Sequence, residues 1–507
     1  MDCPSPLLKT VMGTSGIVPS SVHLRSSPLS VTTNLSDEED RISALPDHIL
    51  IDILERVDDL RTVVQASTLS RRWAHLPRSL SYLCIQIADF LPRDPSRRKH
   101  WKVNQGMTAY TAAVRSLLKQ SPSCNRVIKY LDLVFYLKDP YLAYIGHAVG
   151  DVVKHGNTDF LQFVIYSEVQ DPSYEQCVMF GQRFMSFVQA CPVAFIWITR
   201  LILQNITFGD REVSTVLDAC RKLELLSLDL CVCVIDPVTS EETVLTIDAP
   251  DSSLLALSIT TCAYARIDLI QVPKLEMLLY TNWNGANPPF RFGKVPCLGR
   301  ISLSCAALHW QNPFALSHFL PNTTTLTKMH LDFADQMIWI KPEGPKHLST
   351  IFSNLRDVNL YNIFYECDLN WTMFVLEAAP SLSNFRLKLS CHPCERNRCE
   401  DCAEKVNVVW DHASPDFEHH RLSLLQMVGF AVDEKLMKYI RLVMKRAVGL
   451  RRICLLDQRP CAECDAMNNA QPPSPMRWRF PADEDEKKLI RQQLVDGFSS
   501  SVEISIG

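Results

Sequence analysis

Residues 355–360 read Leu355-Arg356-Asp357-Val358-Asn359-Leu360, and this phrase decides the fold. Val358 and Leu360 sit two apart, so on a short strand both point to one side while Asp357 and Asn359 point to the other. Leu355 marks the turn into the strand. A strand with one apolar face cannot stand alone and must stack on neighbours of the same design. The chain supplies them. The spacing recurs upstream as Ile128-Leu131-Leu133, Phe160-Phe163-Ile165, Ile198-Leu201-Leu203, Leu223-Leu226-Leu228, Leu254-Leu257-Ile259, Leu275-Leu278-Tyr280, Leu298-Ile301-Leu303 and Leu326-Met329-Leu331. Downstream it recurs as Leu382-Phe385-Leu387, Leu422-Leu425-Met427 and Leu450-Ile453-Leu455.

The interval is irregular, roughly 20 to 40 residues, and brackets the leucine-rich-repeat range. Helical patterns over 107–120, 141–155, 176–191, 211–220 and 434–448 alternate with the strand phrases. That alternation predicts an α/β solenoid, with a parallel sheet on the concave face and helices on the convex face. Several helices run into the next phrase through a similar junction: QACPV, LDACRKLELL and LEAAPSLSNF. A doubly covered parallel strand is apolar throughout. Here Thr327, Lys328, Arg356, Asp357, Arg386 and Lys388 interleave with apolar residues, which predicts an open, solvent-facing concave surface.

A different pattern occupies residues 40–76. Leu45-Pro46 opens a helix, where a proline's missing N–H costs nothing. Ile49, Leu50, Ile53, Leu54 and Val57 then recur at helical spacing. Asp58 and Asp59 offer cap oxygens to a second helix with Leu60, Val63 and Val64, and Ser70 to a third with Trp73 and Leu76. So few residues make a marginal core, which leaves apolar positions for another protein to cover.

These residues resemble the F-box. The matching pieces are Leu45-Pro46, Ile53-Leu54, Asp59-Leu60 and Leu69-Ser70-Arg71-Arg72-Trp73, with Asp40-Arg41-Ile42-Ser43 and the LSRRW ending in the plant style. The resemblance implies docking on a Skp-type adaptor and, through it, on a cullin ubiquitin ligase. The expected adaptor contacts are Leu45, Pro46, Ile49, Leu50, Ile53, Leu54, Leu60, Leu69 and Trp73. Some of these must instead hold the helices together, and the sequence does not separate the two sets. From about Leu223 onward the chain resembles plant F-box proteins with irregular leucine-rich repeats and an FBD-type ending. KLELLSLDLC, VPKLEMLLY, VPCLGRISL, FSNLRDVNLYNI and LEAAPSLSNFRL carry the first part; LSLLQMVGF followed by YIRLVMKRAVGLRRICLLD carries the second.

The expected organisation is a tail over 1–37, the F-box over 38–82, a linker and first helix over 83–124, and the repeat array over 125–390. A Cys/His-rich insertion over 391–420, FBD-like repeats over 421–470 and a tail with a short helix over 471–507 follow. The first 36 residues are rich in Ser, Thr, Pro and Val and read as disordered; the same composition suits an organellar transit peptide, a weaker fit for an F-box protein.

The insertion carries the other chemical signal. Cys391-His392-Pro393-Cys394 is followed by Cys399 and Cys402, and later by Cys461 and Cys464. Each pair is Cys-x-x-Cys, the knuckle that lets two thiolates reach one tetrahedral zinc. The set Cys391, Cys394, Cys399 and Cys402 is a candidate structural zinc site. Cys461 with Cys464, or His392, His412, His419 and His420, offer other completions. The competing reading is a loop of reduced thiols and no cofactor.

Composition narrows the rest. With 507 residues, 47% apolar and 21% charged, the chain is ordinary for a globular protein. A net charge of -4 gives no reason to expect nucleic acid or a membrane surface as partner. The basic stretch over 93–102 (RDPSRRKHWK) reads as a solvated loop. No apolar run is long enough to cross a bilayer and no signal-peptide pattern appears, so cytoplasm or nucleus is expected, with the 19 cysteines reduced. No phosphate-cradling loop, HExxH or GxSxG motif occurs, and Gly is scarce at 16. Asp483-Glu484-Asp485-Glu486 reads as the acidic start of a helix rather than as a catalytic pair. Trp283, Trp310, Trp339, Trp371 and Trp410 read mostly as core fillers, with one or two as exposed anchors.

The sequence therefore predicts a non-catalytic receptor that holds an adaptor at one end and an unidentified target protein on its repeats. A two-partner scaffold outside ubiquitin transfer, and a zinc-dependent binding module centred on the cysteines, are the alternatives.

Overall fold

In the computed structural model the described residues are 42, 45–57, 60–92, 103–119, 126–154, 157–209, 211–233, 244–283, 285–321, 323–390, 402–410, 414, 416–458, 480–481, 483–498 and 502–507. Fourteen strands form one sheet in chain order, each paired in parallel with the next. They are β1 (Tyr82–Gln86), β2 (Tyr130–Tyr136), β3 (Phe160–Tyr166), β4 (Arg200–Gln204), β5 (Leu225–Asp229), β6 (Ala256–Thr260) and β7 (Met277–Thr281). The second half comprises β8 (Arg300–Ser304), β9 (Lys328–Asp332), β10 (Asp357–Phe364), β11 (Asn384–Ser390), β12 (Leu424–Val428), β13 (Arg452–Leu456) and β14 (Glu503–Ile506). Every phrase read from the sequence falls on or leads into one of these strands. Its last two residues pack inward against the residues of the same register on the next strand: Leu303 beside Leu331, Leu331 beside Leu360, Leu360 beside Leu387.

The sheet runs past both ends of the array expected at 125–390. β1 carries Leu83 and Ile85 inward from within the expected linker. β14 lies within the expected tail and pairs Ile504 with Ile453 and Ile506 with Leu455. Before it, helix Glu484–Val495 starts where the acidic run predicted, with the Asp483 carboxylate accepting the Glu486 N–H at 2.8 Å.

The layer behind the sheet departs from an all-helical convex face. Helices α3 (Val103–Leu118), α4 (Tyr141–Val153), α5 (Tyr174–Ala190) and α6 (Glu212–Ala219) back the early strands, and Glu434–Arg446 backs a late one. Between them, Leu245–Asp248, Ile267–Gln271 and Phe290–Lys294 form a parallel three-stranded sheet. One edge packs beside α6 and the other beside the helical turn Leu316–Phe319. The segments joining β6 to β7 and β7 to β8 are short, and a strand crosses the repeat in fewer residues than a helix does; the longer β5–β6 segment adds its strand to the same row. Alternating Leu245/Ile247, Ile267/Leu269 and Phe290/Phe292 bury that row against the main sheet.

Strand exits repeat as regularly as strand entries. Asn205, Leu230, Thr261 and Asn282 each follow the last residue of a strand with φ between 49 and 56°. Their N–H groups donate to the next strand's end, at Asp229, Thr260, Thr281 and Ser304. Gly429 takes the same place after β12, with φ of 78° and its N–H on Leu456. Thiols complete the inner edge: Cys231, Cys262 and Cys305 donate to the carbonyls of Leu203, Leu228 and Trp283. Burial pushes the Cys305 thiol up to about 12 and Cys262 well upward, so these two thiols are inert packing groups. Trp283, Trp339 and Trp371 are core fillers, whereas Trp310 is half exposed.

Candidate functional site: a two-sided helical unit and an open sheet face

The N-terminal helices are α1 (Asp47–Leu54), α2 (Leu60–Ala66) and a 3-10 segment, Trp73–Ser79. α1 starts at Pro46, whose carbonyl accepts the N–H groups of Ile49 and Leu50 at 3.0 and 3.2 Å. Ser70 Oγ accepts the Trp73 N–H at 3.4 Å, the cap expected there. The unit is tied to the repeats by Glu55, which accepts the Ser81 N–H at 2.6 Å, and by Arg61, which donates to the carbonyls of Asp89 and Leu91 at 3.0 and 3.2 Å. Arg72 ties its own ends together through an ion pair to Asp47 at 2.7 Å.

Burial divides the nine expected adaptor contacts. Leu50, Leu54, Leu60 and Trp73 lie inside, with Trp73 only 5% exposed, so these four hold the unit together and present no surface to a partner. Ile53 is 41% exposed and Leu69 71%; Pro46 is exposed, and Leu45 and Ile49 are half buried. Val64, 44% exposed, and Ile42 join the outward set, although the sequence reading left them out. The signal for Val64 was present: neighbours on a helix point about 100° apart, so buried Val63 turns Val64 outward.

The open face of the main sheet is two surfaces in one. In its first half the outward positions are mixed and include an apolar patch, against the expectation of a polar surface throughout. Val164, Ile202, Leu225 and Ala256 form a second buried cluster, flanked by Val134, Tyr166 and Met277. Register pairs Val134 with Val164 and Val164 with Ile202, and on the next strands Leu225 with Ala256 and Ala256 with Met277; between the two rows Arg200 stands opposite Leu225 and Ser227 opposite Ile202. Beside them Tyr130 stacks on Phe160 at 4.2 Å, and the Arg200 guanidinium lies 4.9 Å from the Phe160 ring. Gln162 Nε2 donates to Asp132 at 2.9 Å. Burial pushes the Asp132 carboxyl above its ordinary range, and burial next to Asp132 pushes the Cys84 thiol up to about 11.

From β8 to β11 the outward positions are polar, and charged residues are grouped among them. Arg300, Lys328, Arg386 and Lys388 occupy β8, β9 and β11, with Asp332 and Asp357 among them. His330 packs edge-on to Tyr361 at 4.8 Å, and burial holds its imidazole below the ordinary value. Arg356, on the lead-in to β10, is exposed.

Of the candidate zinc ligands, Cys391, Cys394 and Cys399 lie outside the described residues, as do His392, His412, Cys461, Cys464 and the basic stretch over 93–102. Cys402 is half buried and bridges to Leu308 as a strand. His419 is already committed: Nδ1 accepts the Leu422 N–H and Nε2 donates to the Ala379 carbonyl, both at 2.9 Å. His420 is exposed, 3.9 Å from Glu418. Among the described residues no group of three His, Cys, Asp or Glu is placed to hold a metal, and no helix is long and apolar enough to cross a membrane.

Comparison with known proteins locates this architecture. The family described as At1g61320/AtMIF1, LRR domain, matches residues 184–504, well over half of the chain. F-box/LRR-repeat protein 25 of Arabidopsis thaliana is 24% identical over 201 residues, covering 38% of this chain and 68% of that protein. The putative F-box/LRR-repeat protein At5g02930 of the same plant is 23% identical over 199 residues, covering 38% of each. The chain thus spans about two thirds of the first relative and well under half of the second.

Proposed function

The chain belongs to the At1g61320/AtMIF1 leucine-rich-repeat domain family, and from that footing we propose that it is the substrate-recognition subunit of a Skp–cullin–F-box ubiquitin ligase. The observation that carries the proposal is the helical unit, whose inner side is closed while Pro46, Ile53, Val64 and Leu69 remain uncovered. Those residues would seat a Skp-type adaptor, and the adaptor would bring a cullin. The open sheet face would hold a target protein, whose lysine is thereby kept close to a ubiquitin thioester carried elsewhere in the assembly. In this reading the chain supplies no acid, base or nucleophile, and works in the cytoplasm or nucleus. The names of the two Arabidopsis relatives support it. We read residues 422–457 as an FBD-like ending, supported by β12 running into Gly429-Phe430, the helix Glu434–Arg446 and β13.

Co-purification of the full chain with a recombinant plant Skp-type adaptor and cullin tests the proposal. A stoichiometric complex containing both is expected. A folded chain that forms no adaptor complex refutes it, and adaptor recovered without cullin places the chain outside ubiquitin transfer.

A further inference from the structure

The open face from β8 to β11 holds more positive charge than its own acids neutralise. Arg300 and Lys328 stand in direct register on adjacent strands. Like charges so placed repel and cost stability unless an anion lies between them. Lys328 reaches Asp357 only at 3.8 Å. That carboxylate is already shared, accepting from Asn384 at 2.7 Å and pairing with Arg386 at 3.4 Å. Asp332 is occupied as well, by Asn362 at 2.9 Å and the Ala334 N–H at 2.8 Å. Among the described residues Arg300, Arg356 and Lys388 make no side-chain hydrogen bond or ion pair. On a chain of net charge -4, the four cations on these strands (Arg300, Lys328, Arg386 and Lys388), with Arg356 at their entry, face two engaged acids and make a locally reversed patch.

We propose that this patch receives an acidic segment of the target, its carboxylates or phosphates lying across β8 to β11. The inference rests on the open face being the target-binding surface and adds the partner's chemistry. Guanidinium and ammonium groups on neighbouring strands bind either anion through charge-assisted hydrogen bonds. Four strands at about 4.8 Å per step span about 14 Å, which an extended peptide crosses in about four to five residues. The segment therefore concentrates its anionic groups in a window of about that length. The requirement does not extend to β2–β7, where an apolar cluster covers itself and Arg200 lies over the Phe160 ring.

The test is fluorescence anisotropy with the full chain and labelled probe peptides on a Ser/Gly background. One probe carries clustered glutamates, one clustered phosphoserines and one clustered lysines; a short single-stranded oligonucleotide is the fourth. The glutamate or phosphoserine probe is expected to bind, the better of the two naming the anion, and to weaken as salt rises. The double variant R300E/K328E should weaken it by about tenfold and favour the lysine probe, as expected for surface charge pairing. R115E, on helix α3 behind the sheet, should change nothing, with matched thermal melts as the folding control. Absence of binding by both acidic probes, equal binding by R300E/K328E, or tighter binding of the oligonucleotide overturns the inference. Adaptor complex formation is scored on the same preparation: an adaptor complex without acidic-probe binding removes this inference alone, and the reverse removes only the ligase reading.

Discussion

Truncating Ile53 and Leu69 together should separate binding from folding. Both side chains point away from the chain's core, 41% and 71% exposed. Burying a full Ile or Leu side chain is worth about 2–3 kcal/mol. Scaled by those exposures, and allowing for the β-carbon that alanine keeps, the pair offers about 2 kcal/mol to an adaptor, roughly thirtyfold in Kd. The same change should cost folding only about 0.5 kcal/mol per site, because little intramolecular packing is lost. Leu54, one residue beyond Ile53, gives the opposite result: it is 5% exposed, and Leu54→Ala should cost about 2–5 kcal/mol of stability through transfer and cavity terms. Calorimetric titration of a Skp-type adaptor into each variant, beside denaturant unfolding, measures both quantities. Wild-type adaptor affinity in Ile53→Ala/Leu69→Ala, or a stability loss equal to that of Leu54→Ala, refutes the division of this unit into inner and outer sides.

Three further outcomes follow from the repeats. Burial holds the His419 imidazole below its ordinary value of 6.5. The unfolded chain therefore takes up a proton first as pH falls, so this stability is fully present above 6.5 and is lost towards the folded-state value. The melting temperature should drop between about pH 7 and 5; His419→Gln should start lower but fall less steeply, and an unchanged slope argues against the assignment. At Gly429, φ is 78° and an added Cβ meets the Leu389 carbonyl oxygen at 2.7 Å, so Gly429→Ala should destabilise by about 2–3 kcal/mol in denaturant unfolding. Thr261 holds φ of 49° despite its branched side chain, so Thr261→Asn should raise the melting temperature, gaining about 1 kcal/mol.

The repeat order was legible because its code is local. Leu355-Val358-Leu360 and its relatives need only the period-two geometry of a strand to declare which side is inside, and each ends up there. β1 was missed although Leu80-Leu83-Ile85 has the same spacing, because it adjoins the helical unit and reads as its tail. β14 was missed, although Ile504 and Ile506 alternate with polar residues, because Ser501 stands where the repeat phrase has its apolar lead-in and the strand is only four residues long. The left-handed exits carried a partial signal: Asn205, Asn282 and Gly429 favour that conformation, whereas Leu230 and Thr261 do not.

From its letters alone the chain determined the twelve repeats from β2 to β13 and their inward residues, since these follow from spacings a few residues long. Tertiary structure decided which member of Leu50/Ile53 and of Leu54/Leu69 is left for a partner, because the helices there are apolar on more than one side and only packing selects the buried one. It also decided that Arg300 faces Lys328, and that Asp357 is shared between Asn384 and Arg386, because these residues meet only through strand register. Hydrophobic spacing is written along the chain; the juxtaposition of charges is written across it.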